Sequence, residues 1–380
     1  MTLKVAIIGA GIGGLSAAAA LLRKGVEVKV YEQAPELREV GVGLHLGSNG
    51  SRILRRWGLG KQLDEVAVMP AATEVRDWKE GRVLTRFPMG EMWAKRFGDP
   101  FYTIHRQDLH QLLAAQVPSE LVRLNSKLVS YTDQGKSVEM EFADGTTAEA
   151  DVLIGADGVH SVVRQVVAPP QKPTFSGHSV FRGQVPSSAL PTDSLLIWGG
   201  PNCTMHVYPV RGGESLTFVA VVLDMTWELE SWSAPGDPRD LAAAFADWNP
   251  EVKSVISAAV TDVRRWALYD REPLERWSAG RITLLGDAAH PMLPHLGQGA
   301  NQAMEDGVAL AHCLAAAPGE VAEALRRYES IRLPHTAVVQ RGSRGGGTLK
   351  MRSDTGRDSL ATMVEEVAAV QGYDIETELT

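Results

Sequence analysis

Val5 to Ile8 form an unbroken apolar run, short enough for a strand buried on both faces. Gly9, Ala10, Gly11, Ile12, Gly13 and Gly14 follow, and then Leu15 to Lys24, rich in Ala and Leu. The pattern predicts a strand, a tight turn and a helix. Gly25 is placed to stop that helix, after which Val26, Val28 and Val30 alternate with Glu27 and Lys29 up to Tyr31 and Glu32, as a second strand requires. The first 32 residues read as one βαβ unit with parallel strands and a right-handed crossover.

A Gly-rich segment, Gly41 to Gly50, interrupts this pattern and leads into a basic amphipathic piece, Ser51 to Trp57. Leu109, Leu112 and Leu113 fall at helical spacing after His105 and Arg106. Val138, Met140 and Phe142 alternate with polar residues up to Asp144-Gly145, a hairpin signal. Val152 to Ile154 is another buried strand and ends in Gly155-Ala156-Asp157-Gly158. From about Pro169 to Trp277 the texture changes to short alternating strands, at Ser179–Phe181, Leu195–Trp198, His206–Val210 and Leu216–Val222, with turns at Gly199-Gly200 and Gly212-Gly213. Ile282 to Leu285, again continuous and apolar, ends in Gly286-Asp287. Helices are predicted over Gly299–Ala316 and Glu320–Arg332, the second stopped near Pro334. Gly345 to Gly347 reads as a flexible loop and Ser359 to Val370 as a further helix.

Composition narrows the class. With 380 residues, 44% of them hydrophobic, and a mean hydropathy of −0.09, the chain is an ordinary globular protein of about two domains. Disorder, collagen and coiled coil are excluded as the main architecture. The net charge of −8, without any Lys/Arg run, disfavours nucleic acid and favours small-molecule partners. Cys203 and Cys313 stand far apart without metal-ligand spacing, so neither a disulfide scaffold nor a metal site is expected. No stretch approaches the roughly 20 apolar residues of a membrane span, and no leader precedes the first strand, so a cytoplasmic protein is expected.

Gly9, Gly11 and Gly14 make GxGxxG between strand and helix. The first glycine permits the tight turn, the second admits a pyrophosphate against the backbone, and the third allows close helix packing. The helix start adds unpaired N–H groups and partial positive charge for the anion. Glu32, 18 residues after Gly14, ends the next strand, where a carboxylate accepts hydrogen bonds from a ribose diol. A dinucleotide site follows.

Two strand-ending acidic motifs, Gly155-Ala156-Asp157-Gly158 and Gly286-Asp287-Ala288-Ala289-His290, complete a series in which the chain resembles the single-component flavin-dependent aromatic hydroxylases, the group of para-hydroxybenzoate, salicylate and 6-hydroxynicotinate hydroxylases. The resemblance runs from Val5 to about Pro334 and includes His105-Arg106-Gln107-Asp108-Leu109 and Pro294 to Asn301. It implies that the N-terminal fingerprint holds the ADP half of FAD, that Asp157 with Gly158 lies near the pyrophosphate and assists NADH or NADPH use, that Asp287 with Gly286 meets the ribityl chain, and that Arg106 contacts FAD. Gly297, Gly299 and Ala300 would then border the flavin ring, with Pro294, at the start of the same loop, a candidate substrate contact. The Gly-rich loop running into the helix from Gly299 also aims backbone N–H groups at whatever binds there, which suits the negative charge of reduced flavin. By position Arg38 is a candidate phosphate contact, with a solvated surface arginine as the alternative. A plain helix cap is the alternative for Asp287.

The implied fold is α/β: a Rossmann-like FAD-binding domain with an inserted, mostly antiparallel β-sheet, as in para-hydroxybenzoate hydroxylase. The expected boundaries are 1–168 with 278–335 for the FAD-binding domain, including part of the substrate layer near 70–105, then 169–277 for the substrate layer and 336–380 for a C-terminal extension. No second nucleotide fingerprint occurs, so the pyridine nucleotide must visit the flavin transiently.

His45 and His295 are the candidate catalytic residues, since a phenolic ring reacts faster with the electrophilic flavin C4a-hydroperoxide once its hydroxyl has lost a proton. Loop histidines also serve as scaffolding, and that alternative stands for both; His290 is read as structural. His206 and Tyr208 either line the pocket floor or fill a half-buried sheet face. Arg182 either meets a carboxylate in a two-pronged bond or pairs with a surface Glu. The histidines resemble those of 6-hydroxynicotinate hydroxylases, whereas Met205 to Gly213 resembles salicylate and 3-hydroxybenzoate hydroxylases. The expected reaction is therefore hydroxylation of a phenolic or hydroxypyridine carboxylate with O2, with or without loss of the carboxylate, by a monomer or homodimer. The rivals are a flavin oxidoreductase of the same fold acting on a non-aromatic substrate, such as an epoxidase or reductase, and a flavin-binding protein without turnover.

Overall fold

The βαβ unit forms from its apolar alternation: β1 (Lys4–Ile8) runs into α1 (Ile12–Arg23), and β2 (Glu27–Tyr31) returns parallel to β1 with Val5 beside Val28 and Ile7 beside Val30. Gly25 ends the helix at φ +75°, a conformation that favours glycine. The computed structural model describes residues 3–37, 42–169, 173–223, 235–259, 263–345 and 367–380. Arg38, Gly346, Gly347 and most of the helix predicted over Ser359–Val370 lie outside the described residues.

The chain continues through β3 (Gly43–Leu46), α2 (Ser48–Arg56), α3 (Gly60–Val66), β4 (Ala72–Asp77), β5 (Val83–Pro88), α4 (Gly90–Phe97), β6 (Tyr102–His105) and α5 (Arg106–Ala114) to β7 (Val122–Arg123). A meander of β8 (Leu128–Asp133), β9 (Val138–Phe142) and β10 (Thr147–Ala150), with Gly145 at φ +79° in the predicted hairpin, precedes β11 (Val152–Gly155). Then come β12 (Thr174–Pro186), β13 (Leu195–Gly199), β14 (Cys203–Val210), β15 (Ser215–Leu223), α6 (Pro238–Ala244), α7 (Pro250–Ala258), β16 (Arg264–Asp270), β17 (Ile282–Leu284), α8 (Gly299–Ala316) and α9 (Val321–Gly345).

Five strands, in the order β17-β11-β1-β2-β7, make a parallel sheet. Both its faces are covered, which is why its strands read as continuous apolar runs. α8 crosses α1 closely, since a Cβ on Gly307 would stand 2.8 Å from the backbone nitrogen of Ala17. A second sheet of seven strands, in the order β16-β12-β15-β14-β13-β4-β5, is antiparallel except where β13 pairs with β4. One face of it packs on α6 and α7 through Trp198, Phe218, Phe245 and Val252. The other face looks toward β3, whose Gly43 N donates to Thr217 Oγ1 on β15 at 2.8 Å.

The helix predicted to stop near Pro334 instead runs on to Gly345. A proline inside a helix costs one backbone hydrogen bond. The turns beyond it compensate by burial, with Gln340 Nε2 donating to the carbonyls of Arg271 and Pro291 at 2.7 and 2.9 Å.

Candidate active site

The glycine fingerprint is held by backbone packing that admits no side chain. Gly9 has φ +103°, and a Cβ there would lie 2.4 Å from the carbonyl oxygen of Ala156; one on Gly14 would lie 1.9 Å from that of Gly9. The turn opens on a cavity of about 580 Å³ lined by Gly9, Gly11, Glu32, Asp157 and Gly158. Glu32 accepts hydrogen bonds from Ala10 N and Ala34 N, both at 2.8 Å, which holds its carboxylate at the cavity edge. Asp157 borders the same space, but its carboxylate is turned into its own loop, accepting from Ser161 Oγ and from Val162 N at 2.7 Å. Burial raises its pKa. Sequence reasoning missed His110, Lys127 and His160 in the lining. His110 sits one helical turn after Arg106, and its Nε2 lies 2.7 Å from the carbonyl oxygen of Ala10.

The second acidic motif forms a turn at Gly286–Ala288, with Gly286 at φ +57°, Asp287 exposed and Ala288 buried. Asp306, fully buried in α8, fixes that turn: it accepts from Gly286 N at 3.0 Å, meets His290 Nε2 at 2.6 Å and pairs with Arg332 at 2.8 Å. These partners hold its pKa down to about 2 although burial opposes them. A short turn, Pro294–Leu296, carries His295, and Gly297 at φ +64° leads through buried Gln298 to Gly299 and Ala300 at the start of α8. Asp287 and this helix start are neighbours, with Asp287 Oδ1 3.9 Å from a Cβ built on Gly299. Asn301 ties the region together, its Nδ2 donating to the carbonyls of His45 and Gly297 at 3.1 and 3.0 Å.

A third group faces this helix start. His45 on β3 has its ring 4.8 Å from that of Tyr208 and 5.5 Å from that of Phe101. Its Nε2 is buried and lacks a hydrogen-bond partner among the described residues. Such a nitrogen is costly unless a ligand satisfies it. Tyr208 on β14 donates to the carbonyl oxygen of Gly43 at 2.9 Å, and burial pushes its hydroxyl up to about 12, so it stays protonated. His45, His206 and His295 are each lowered to about 4, by burial first, with the Arg182 charge acting on all three. His206 also feels His45, and His295 feels His206 and His178, so the four histidines lie within electrostatic reach of one another. Arg182 is lowered to about 10 by burial and lies 4.7 Å over the ring of Trp266. Arg106, at the start of α5, is near enough for its charge to act on Arg182. The structure thus gathers His45, His206, His295, Arg182, Tyr208 and Arg106 in one region, and sets Glu32 and Asp157 around the cavity of the glycine turn. His178 was missed in the sequence, although strand alternation puts 178, 180 and 182 on one face.

The family described as FAD binding domain matches residues 2–343. The chain belongs to that family. As an FAD binding domain protein it is 44% identical over 348 residues to the 3-amino-4-hydroxybenzoate 2-monooxygenase of Streptomyces platensis, covering 90% of this chain and 87% of the relative. It is 39% identical over 360 residues to the 6-hydroxynicotinate 3-monooxygenase of Pseudomonas fluorescens, covering 92% and 93%. Among solved structures, a salicylate hydroxylase substrate complex superposes with a TM-score of 0.85 at 27% identity, covering all of this chain and 97% of the other. The protein is a flavin-dependent aromatic monooxygenase, and FAD is its cofactor. The residues fit that group, since the glycine cradle, its cavity and the partnerless His45 nitrogen leave room and polar atoms for a ligand. No helix of the described residues is long and apolar enough to cross a membrane.

Proposed function

We propose that the protein hydroxylates a small aromatic or pyridine ring bearing both a hydroxyl and a carboxylate, using NADH or NADPH and O2. The observation that carries this reading is the placement of half-buried, positively charged Arg182 among three neutral histidines near the start of α8. A carboxylate has a cation to meet there, and the ring hydroxyl has bases within the same pocket. The names of the relatives, which describe hydroxy acids of benzene and pyridine, support it. The chemistry that bound FAD supplies is acceptance of a hydride from NAD(P)H and activation of O2.

Gly9, Gly11, Gly13, Gly14 and Glu32 hold the ADP half, with Asp157 and Gly158 shaping the wall beside the pyrophosphate. Gly286, Asp287 and the Gly297–Ala300 helix start meet the other half, together with Arg106. In the substrate space Arg182 orients the carboxylate, while His206, Tyr208 and Pro294 shape the walls. His295, with His45, takes the hydroxyl proton. A histidine lowered to about 4 is a weak base at neutral pH. An anionic substrate offsets the Arg182 charge, the smallest of the causes that lower His295, and so raises its basicity in part while burial, the largest cause, remains.

The reading extends to a FAD-binding unit of 1–168 with 278–335, a substrate layer of 169–277, and a monomer or homodimer working in the cytoplasm, where NAD(P)H is regenerated. It is tested by following NADH and NADPH oxidation by the purified protein across hydroxybenzoates, aminohydroxybenzoates and hydroxypyridine carboxylates, with products identified by mass. A product one oxygen heavier supports it. Oxidation that no ring acid stimulates, with no such product, overturns it.

A further inference from the structure

The family match stops at residue 343, yet residues 367–380 dock on the same body. Ile375 and Leu379 are buried in the main core. Arg52 on α2 donates to the carbonyl oxygen of Tyr373 at 2.7 Å, Arg56 pairs with Asp374 at 2.7 Å and with Glu376 at 3.0 Å, and the Tyr373 ring stacks on that of His335 at 3.7 Å. Just before these anchors in the chain lies Gln371, 2% exposed.

Gln371 performs a task that the local sequence leaves undone. The first N–H groups of a helix need acceptors, usually supplied by the capping side chain. α2 is preceded by Gly47, which has none. Gln371 Oε1, 323 positions away, accepts from Ser48 N at 2.5 Å. The contact is close, since a Cβ on Gly47 would stand 2.7 Å from that oxygen. The same turn is also held by Asn301, whose Oδ1 accepts from Gly47 N at 2.9 Å while its Nδ2 donates to the carbonyls of His45 and Gly297. One short backbone stretch therefore connects the tail, the histidine on β3 and the turn after His295.

We propose that Gln371 is a positioning residue that caps α2 from the far end of the chain and thereby fixes His45 and the Gly297 turn at the reacting face. The proposal rests on the reading above that this face holds the substrate. A bond to a helix N-terminus accepts a carboxylate as well as an amide, so Gln371→Glu keeps the cap, whereas Gln371→Met removes it at similar volume.

The test uses the full-length holoenzyme. In Gln371→Met, hydrogen–deuterium exchange of the 42–50 backbone is expected to quicken roughly five- to tenfold, the size of one lost hydrogen bond. Product formed per NAD(P)H consumed is expected to fall at least about twofold, with bound FAD unchanged, and Gln371→Glu is expected to restore both. Arg56→Gln, which releases an exposed anchor of the same tail, is expected to shift both readouts in the same direction, and serves if the first variant folds poorly. Unchanged exchange overturns the cap. Faster exchange with undiminished coupling overturns the positioning role. Failure of the proposed reaction itself is distinct, because the unmutated protein would then yield no hydroxylated product while its exchange pattern still reported the cap.

Discussion

Arg182 and His206 stand in one row of the seven-stranded sheet, each directly paired with Val219 on the strand between them. With strands ~4.8 Å apart, their Cα atoms lie ~10 Å apart on one face, a span that suits a ring carrying a carboxylate at one end and a hydroxyl toward the other. β3 crosses this row, and His45 packs its ring edge-on against Tyr208, two residues along β14 from His206. The sheet register therefore sets the distance between Arg182 and His206.

Removing the cation separates substrate binding from cofactor binding. Arg182→Met is expected to raise the dissociation constant of the ring acid by roughly 10- to 100-fold, the range for loss of a charge-assisted bond, with FAD content unchanged. Titration of the flavin absorbance with substrate measures it. Undiminished affinity would place the carboxylate elsewhere.

Replacing His295 has another signature. His295→Ala is expected to stay yellow and still oxidise NAD(P)H, while the hydroxylated product falls by about 10²-fold and H2O2 takes its place. Peroxide assay beside product quantitation reads the split. An unaltered yield removes His295 from the reaction.

The histidines also set the pH dependence of stability. Each of His45, His206 and His295 is lowered to about 4 in the folded protein, against about 6.5 unfolded. Between those values the unfolded chain binds more protons, so stability present above pH 6.5 is lost as the pH falls toward 4 and levels off below, by at most ~1.4 kcal/mol per pH unit for each histidine. Denaturant titrations of the apoprotein across that window test it. His206→Gln is expected to flatten the slope by up to one proton, and an unchanged slope contradicts the assignment.

Asp306 anchors the Gly286 turn, His290 and Arg332 together. Asp306→Asn leaves buried Arg332 with Glu305, at 2.7 Å, as its remaining carboxylate partner among the described residues. A loss of about 3 kcal/mol is expected, together with weaker FAD retention, both read by denaturation and by flavin content after gel filtration. Wild-type values for both would mean that the turn stands without its buried carboxylate.

Legibility followed locality. The βαβ unit was readable because its signals, glycine turn and two-residue alternation, lie within one short stretch, and α8 spans its predicted residues Gly299–Ala316. Pro334 misled because its local penalty is offset by the contacts that Gln340, beyond it, makes with distant carbonyls. Asp157 carried a signal for its inward turn, the serine four residues on, which a loop aspartate readily binds. Asn301 and Gln371 were invisible because their partners lie hundreds of positions away.

We infer that one FAD, cradled at the glycine turn, serves a ring acid held between Arg182 and the histidines. Turnover of the purified holoenzyme under ¹⁸O2 with NAD(P)H and the best ring acid tests it most directly. The account predicts one ¹⁸O atom in each hydroxylated product, with the second leaving as water. Product carrying oxygen only from solvent, or flavin reduction that never yields a hydroxylated ring with any acid of the panel, would contradict it.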